Sequence, residues 1–365
     1  MDLAFQTTIA YGGLGRYSIG LLSKLADYCD TITVYPTPLS AEVPTQHEWW
    51  REVPENVSVV KKHNFARSLL RDSTNFKKYD LVHINYASLG VPALLANSLF
   101  NTPYVYTVHH FDSPSRVTSD FGLRLKYEVE LKLCFPLVSS RGALATVSEY
   151  NAKRMDGRAD TVIPHGINPE RVQTGSDFEI RDRFGLRENS DIVLFVGKFH
   201  SYKNTIDLIK AFSLVSSSSD AELVLLSSGG HEEQKIRSKI SDLGLERDVS
   251  IIVDITDELL CYFYNEATVF AFPSQAEAFG LVYLEAMAAG LPVIHSGEGG
   301  GAEVVGDAGI SVNPADHEEF ATQILRVLGD PVLQNQLQAA GLSRIERFTW
   351  ENAASQYAEL YESIL

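Results

Sequence analysis

The stretch from Pro273 to Val293 decides the fold and reads PSQAEAFGLVYLEAMAAGLPV. It follows Thr268–Phe272, a short apolar run that predicts a buried strand, and it ends where the next apolar run begins. In between, apolar residues at helical spacing predict a helix from about Gly280 to Ala289, with Gly290 as its stop and Pro292 just beyond. A strand, a glycine loop, a helix and a second strand form one βαβ unit, which predicts a parallel sheet.

The same alternation of apolar strands and amphipathic segments runs through the whole chain. The clearest predicted strands are Leu3–Phe5, Thr31–Tyr35, Leu81–Ile84, Tyr104–Val108 and Ala143–Val147 in the first half, and Ile192–Val196, Leu223–Leu226 and Val249–Val253 in the second. Two successive α/β units of similar size predict two facing Rossmann-like domains. Ligands of such sheets bind beyond the carboxyl ends of the strands, so an interdomain cleft is the expected site.

The predicted boundary between the two domains falls near Gly166. We expect a first domain over residues 1–167, a second over residues 168–347, and a separate terminal helical stretch over residues 348–365.

Composition and charge narrow the class of protein. With 365 residues, 45% of them hydrophobic and 21% charged, the chain has the balance of a globular protein of about two domains. A formal net charge of -16 argues against a nucleic-acid binder. The three cysteines are odd in number and far apart, so they predict neither a disulfide framework nor a zinc site. The sequence shows no signal peptide and no run of eighteen apolar residues, which favours the cytoplasm.

The charge is unevenly distributed. Residues 1–167 carry 17 basic and 16 acidic side chains, whereas the rest of the chain carries 14 and 31. Within the first half, the segment from Lys61 to Lys78 contains six basic residues and only one acid, Asp72. Two interpretations stay open for this segment: a solvated helix face, or a surface that contacts anionic lipid, at the inner face of a membrane, or a phosphorylated acceptor.

Two glutamates and a helix start lie in the deciding segment. Glu277 falls in the loop before the predicted helix and Glu285 falls on the helix, so the two carboxylates serve different parts of one ligand. The backbone amides of Phe279, Gly280 and Leu281 open the helix and form an anion site suited to a phosphate. A carboxylate beside that site can accept hydrogen bonds from sugar hydroxyls, so the pattern suits a nucleotide sugar.

A lysine loop follows the strand Ile192–Val196. Gly197 ends this strand, and Lys198 and Lys203 lie in the loop after it. Two fixed cations at a strand end suit a diphosphate, because they stabilise the negative charge that develops on a leaving phosphate. No metal ion and no other cofactor is then expected.

The segment from Pro273 to Val293 resembles the signature of the retaining glycosyltransferases of family 4, whose two-Rossmann architecture is called GT-B, and the resemblance spans nearly the whole chain. It implies that Glu277 contacts the donor hexose and that Glu285 binds the ribose hydroxyls of the nucleotide. The family usually has arginine where this chain has Lys198, so the chain departs from the pattern there by replacing a bidentate fork with a point charge.

Further positions also match the family, but their residue types are less specific to it. Gly12 and Gly13 follow the first strand, where backbone can approach the donor closely, and His109 ends the strand Tyr104–Val108 near the expected donor sugar. His110 is adjacent, and the sequence leaves open which of the two faces the cleft. The family's last helix crosses back to the first domain, which the resemblance implies for residues 348–365.

The resemblance implies retaining transfer of a hexose from a nucleoside diphosphate sugar to an acceptor hydroxyl, catalysed by His109, Lys198, Lys203 and Glu277. It assigns the acceptor to the first domain and the donor to the second. A glycan or lipid-linked acceptor, the donor base and the hexose all stay open. The alternatives are a nucleotide-sugar epimerase or a glycan phosphorylase of the same architecture, and a non-catalytic module that binds nucleotide sugars.

Overall fold

The computed structural model describes residues 1–7, 13–36, 53–60, 72–87, 90–111, 121–172 and 180–365. Backbone contacts divide these residues into two units. Unit 1 is built from Met1–Phe111, Gly122–Ile167 and Phe348–Leu365, and unit 2 is built on Asn168–Arg347. The end of the chain therefore belongs to the unit that its beginning forms.

Unit 1 contains a parallel sheet. Its strands are β1 (Asp2–Thr7), β2 (Thr31–Pro36), β3 (Val57–Val59), β4 (Leu81–Ile84), β5 (Tyr104–Val108), β6 (Ala143–Thr146) and β7 (Thr161–Val162), in the spatial order β3-β2-β1-β4-β5-β6-β7. The helices of this part of the chain include α1 (Gly13–Leu25), α2 (Val91–Phe100), α3 (Phe121–Val129), α4 (Phe135–Val138) and α5 (Glu149–Arg154). A π-helical stretch, Glu130–Cys134, joins α3 to α4.

Unit 2 contains a second parallel sheet, and its strands are β8 (Ile192–Val196), β9 (Glu222–Ser227), β10 (Val249–Val253), β11 (Val269–Phe272), β12 (Val293–His295) and β13 (Ile310–Ser311). Their order is β10-β9-β8-β11-β12-β13. The helices that follow α5 in this unit are α6 (Pro169–Val172), α7 (Ile180–Phe184), α8 (Thr205–Ser216), α9 (Glu233–Asp242), α10 (Asp257–Glu266), α11 (Leu281–Ala288), α12 (Gly299–Val305), α13 (His317–Gly329) and α14 (Pro331–Ile345). The last helix, α15 (Trp350–Glu362), belongs to unit 1. The α/β class and the two Rossmann-like sheets are confirmed.

Local signals place several helix ends. The Thr256 hydroxyl accepts a hydrogen bond from the amide of Leu259 at the start of α10, as an N-cap does, and Gly290 takes a positive φ of 77° just after α11. Helix α14 is absent from the sequence prediction. It begins at Pro331 because the Asp330 carboxylate accepts hydrogen bonds from two amides of its first turn.

The sheet of unit 1 buries a different set of side chains on each face, because successive strand residues point to opposite sides. Phe5 lies on the face covered by α1 and α15, whereas Ala4 lies in the core on the opposite face. Helix α15 packs on α1, and Gly20 permits this approach because a Cβ there would lie 2.2 Å from the Trp350 ring. The terminal helix is therefore part of the core of unit 1.

A buried polar chain links α15 to the strands of unit 1. The two ring nitrogens of His83 lie 2.5 Å from the Tyr361 hydroxyl and 2.8 Å from the Thr107 hydroxyl, and Thr107 lies 2.9 Å from the Tyr357 hydroxyl. Burial lowers the pKa of His83 to about 3. The imidazole is neutral at pH 7 and joins the helix to β4 and β5 by hydrogen bonds.

Candidate functional site

The loop between β11 and α11 depends on a glycine. Gly280 has a φ of 94°, in the left-handed region that favours glycine, and a Cβ at this position would lie 2.7 Å from the buried ring of Tyr283. Helix α11 starts at the next residue and has no side-chain cap at its N-terminus. The N-cap residue is a glycine, so it offers no carboxylate or hydroxyl to the first amides of the helix. These amides form the positive end of the helix dipole.

The main feature of unit 2 is an ion pair between Lys203 and Glu277. The side chains are only 11% and 13% exposed, and the Ser274 hydroxyl donates to the same carboxylate oxygen at 2.7 Å. The Lys203 ammonium also lies 4.9 Å from the centre of the Phe272 ring and 5.0 Å from that of Tyr202. The structure thus brings together two of the residues selected from the sequence, which lie after the neighbouring strands β8 and β11.

Hydrogen bonds join the two loops that carry this pair. The Asn204 amide donates to the Pro273 carbonyl at 2.9 Å and to the side-chain oxygen of Gln275 at 3.0 Å. The backbone amide of Gln275 donates to the backbone carbonyl of Tyr202 at 3.1 Å. The sequence reasoning missed Asn204, Gln275 and Ser274, and their only signal was that they flank Lys203 and Glu277.

A third loop fixes the backbone of Glu277. The Gly300 amide donates to the Glu277 carbonyl at 2.6 Å, and a Cβ at Gly299 would lie 2.9 Å from that carbonyl oxygen. Gly299 has a φ of 74°, so both its conformation and its contact distance favour glycine. The carboxyl ends of β8, β11 and β12 therefore contribute to the position of one glutamate.

Glu285 lies on α11 and is buried, with 5% exposure. Its carboxylate accepts a hydrogen bond of 2.9 Å from the Tyr264 hydroxyl on α10. The sequence predicted this residue as a ribose ligand but gave no signal for Tyr264, which lies 21 positions earlier.

The remaining residues predicted in unit 2 differ in exposure. Phe279 is buried and Leu281 half-buried at the start of α11, and Gly197 packs against the Phe272 ring, where a Cβ would lie 3.1 Å from it. Lys198 is exposed. Lys198 and Lys203 both contribute to lowering the pKa of His200 to about 4, after its burial and the neighbouring His231. Of the two lysines, only Lys203 is buried.

Two of the residues predicted in unit 1 are described. Gly13 is the exposed first residue of α1, whereas Gly12 lies outside the described residues. His109 follows β5, and its Nε2 lies 2.8 Å from the Asn85 side-chain oxygen. Its ring meets Tyr17 edge-on at a centroid distance of 4.4 Å, whereas His110 is exposed. Of the two histidines, His109 is thus the one that packs into the unit.

Comparisons with known proteins match both halves of the chain to glycosyltransferases. A family model described as Glycosyl transferases group 1 matches residues 176–344, and one described as Glycosyltransferase Family 4 matches residues 11–171. This chain is a family 4 glycosyltransferase.

Curated relatives match the glycosyltransferase over nearly its full length. It is 27% identical to a D-inositol 3-phosphate glycosyltransferase of Acidothermus cellulolyticus, over 97% of this chain and 86% of the relative. It is 25% identical to the protein of the same name from Frankia alni, over 97% of this chain and 95% of the relative.

Solved structures show the same fold. Anabaena Alr3699/HepE in complex with UDP-glucose aligns with a TM-score of 0.79 at 21% identity, over the whole of both chains. WaaG, a glycosyltransferase involved in lipopolysaccharide biosynthesis, aligns with a TM-score of 0.73 at 19% identity, over 98% of this chain and 99% of WaaG. The GT-B fold expected from the resemblance is confirmed.

Two sequence expectations concern membranes. Among the residues that the structure describes, no helix of this glycosyltransferase is both long and apolar enough to cross a bilayer. Most of the basic segment from Lys61 to Lys78 lies outside the described residues. At its described end, the Lys77 ammonium lies 5.6 Å from the centre of the Phe100 ring.

Proposed function

We propose that this glycosyltransferase transfers a hexose from a nucleoside diphosphate sugar to an acceptor hydroxyl, with retention at the anomeric carbon and without a metal ion. The observation that carries the proposal is the buried Lys203–Glu277 pair next to the glycine that opens α11. Glu277 Cγ would lie 3.6 Å from a Cβ at Gly280, so the ion pair and the helix end adjoin. An ammonium group beside the N-terminus of a helix suits a diphosphate.

The leaving diphosphate is the group that these charges stabilise. As the bond between the anomeric carbon and the diphosphate oxygen breaks, negative charge grows on the diphosphate, and the acceptor oxygen bonds to the same carbon. The acceptor proton passes to a diphosphate oxygen. Lys203 and the amides of α11 are fixed before the reaction, so they stabilise this charge without reorganising. Lys198 adds a cation from the exposed side.

Retention follows in this proposal from a front-face reaction. A double displacement needs a carboxylate free to attack the anomeric carbon. Glu277 accepts hydrogen bonds from Lys203 and Ser274, and Glu285 is buried and accepts one from Tyr264. Both carboxylates are therefore already engaged by neighbouring side chains. We assign Glu277 to the hydroxyls of the donor hexose and Glu285 to the ribose.

The donor and acceptor are tested directly with the purified full-length chain. UDP-glucose is the first donor to try, because Alr3699/HepE is described in complex with it, and D-inositol 3-phosphate is the first acceptor, because the relatives are named for it. We expect acceptor-dependent release of the nucleoside diphosphate, an α-linked product by NMR, and an unchanged rate in excess EDTA.

Other outcomes point to the alternative functions. Loss of donor without acceptor, and with formation of its epimer, indicates an epimerase, whereas dependence on inorganic phosphate indicates a phosphorylase. Binding of nucleotide sugars without turnover of any donor or acceptor in a broad screen contradicts catalysis. A β-linked product contradicts retention, and a rate lost in EDTA and restored by a divalent cation contradicts metal independence.

We also propose that unit 1 contacts an anionic membrane surface through its basic segment. The proposal is supported by side chains at the end of α2, next to the described end of the basic segment. Leu99 and Phe100 are 68% and 44% exposed there, and the Lys77 ammonium lies over the Phe100 ring. Exposed apolar side chains next to lysines suit a bilayer interface with acidic lipids. Co-sedimentation with vesicles should rise with the fraction of phosphatidylglycerol and fall in Lys77→Glu, but not in Lys235→Glu on unit 2. No binding at any vesicle composition contradicts the proposal.

A further inference from the structure

His109 is held on three sides in unit 1. Its ring lies edge-on to Tyr17 at 4.4 Å and tilted against His165 at 5.3 Å between ring centres, and its Nε2 is bonded to Asn85. Nδ1, the other ring nitrogen, is buried, and no hydrogen-bond partner for it occurs in the part of the chain that the structure describes. The residue follows the carboxyl end of β5, the end of a parallel sheet where ligands bind.

Asn85 determines which nitrogen of His109 carries the proton. The Asn85 side-chain nitrogen lies 3.0 Å from the Gln6 carbonyl oxygen. A carbonyl oxygen only accepts, so the amide nitrogen of Asn85 must face Gln6, and the amide oxygen must face His109 Nε2 at 2.8 Å. That oxygen also only accepts, so Nε2 must be the donor and must carry a hydrogen atom.

The ring of His109 holds no second proton. Burial lowers its pKa well below the ordinary value, and the nearby imidazoles of His165 and His83 lower it further. In the described part of the chain, the Tyr17 phenol also packs against the ring, and because its own pKa is raised by burial it is neutral as well. A neutral imidazole with its proton on Nε2 has a lone pair on Nδ1.

We propose that Asn85 is a positioning residue that fixes His109 as the Nε2–H tautomer, so that the Nδ1 lone pair accepts a hydrogen bond from a hydroxyl group of a carbohydrate substrate. The identity of the ligand rests on the proposed function, whereas the tautomer rests on the hydrogen bonds alone. A buried acceptor without a donor is unfavourable, so the position selects ligands that bring an O–H group. A fully ionised phosphate oxygen has no hydrogen to donate, so His109 serves the sugar and not the diphosphate.

The tautomer is measured by long-range ¹H–¹⁵N NMR on the full chain with ¹⁵N-labelled histidine. The His109 signals are those lost in His109→Gln. We expect a neutral ring with a protonated Nε2 and an unprotonated Nδ1 from pH 6 to pH 8. A proton on Nδ1, or a cationic ring at pH 7, overturns the proposal, whether or not any substrate is known.

Variants at Asn85 separate positioning from general damage to the fold. Asn85→Asp keeps an acceptor facing His109 and should keep the Nε2–H tautomer, whereas Asn85→Ala should give a mixture of both tautomers. With UDP-glucose as the donor, we expect turnover to fall about tenfold in Asn85→Ala and to recover in part in Asn85→Asp. Asn97→Ala removes a comparable side-chain bond to a backbone carbonyl, that of Thr102, and is the matched control.

The two proposals fail in different ways. If the wild-type chain turns over no nucleotide sugar, the proposed function fails and the NMR result still decides the tautomer. If Asn85→Ala loses turnover but keeps a pure Nε2–H tautomer, Asn85 does not set the proton and the positioning role is wrong.

Discussion

Replacing Lys203 by methionine tests the central ion pair. The change leaves the Glu277 carboxylate without its cation at a position where only 13% of the side chain is exposed. Removing one partner of a buried pair typically costs about 3–5 kcal/mol, and the remaining bond from Ser274 favours the lower end, about 3 kcal/mol. For a unit of this size, each kcal/mol lowers the melting temperature by roughly 2–4 °C, so we expect a drop of roughly 6–12 °C.

A double-mutant cycle isolates the pair from other effects. Glu277→Gln together with Lys203→Met removes both charges, so we expect the double variant to be more stable than the sum of the two single losses predicts. Lys235→Met is the matched control, because its partner Glu232 has the same 13% exposure as Glu277, whereas Lys235 itself is 68% exposed. Water reaches this pair from the lysine side, so it is worth about 0–1 kcal/mol. Melting temperatures at pH 7 and low salt give all four values.

The same variants test the chemistry. Loss of one preorganised charge at a leaving group typically slows a reaction by about 100-fold to 1,000-fold, so we expect Lys203→Met to lose transfer to that extent at temperatures where it is fully folded. A Lys203→Met melting temperature equal to that of Lys235→Met refutes the buried pair. An unchanged transfer rate removes Lys203 from the mechanism.

Three further predictions follow from other contacts. Gly280→Ala places a Cβ 2.7 Å from the Tyr283 ring at a φ of 94°, so we expect a loss of at least about 1–3 kcal/mol in a melting experiment and weaker UDP binding by calorimetry. Gly20→Val forces α15 away from α1, so the fluorescence of Trp350 should shift towards that of an exposed indole; an unshifted spectrum contradicts the packing. Burial holds the pKa of His83 and His165 at about 3, so only the unfolded chain takes up these two protons as the pH falls below about 6.5, and these two groups alone should lower the free energy of unfolding by roughly 2.7 kcal/mol per pH unit below pH 6. His83→Gln should reduce the slope by about 1.4 kcal/mol per pH unit, which is half of that contribution, and an unchanged slope argues against a neutral His83.

The sequence predicted the elements that local chemistry fixes. Alternating apolar strands and amphipathic helices were enough for two parallel α/β units, and Gly290 marked a helix end through its φ preference. Helix α14 was missed because its apolar residues form no clear stripe along one face, and its start depends on the Asp330 cap. The segment from Pro273 to Val293 carried the family through residue types at fixed spacing.

The tertiary structure decided what each selected residue contacts. Lys198 and Lys203 are equivalent cations in the sequence, but only Lys203 is buried against Glu277, which lies 74 positions away. Asn85 fixes the proton of His109 across 24 positions. The sequence by itself therefore determined the α/β elements and the residue types available to the site, because these follow from local backbone preferences and burial patterns. Which groups form pairs, and in which protonation state, was decided only when parallel strands brought distant loops to one edge of a sheet and removed their side chains from water.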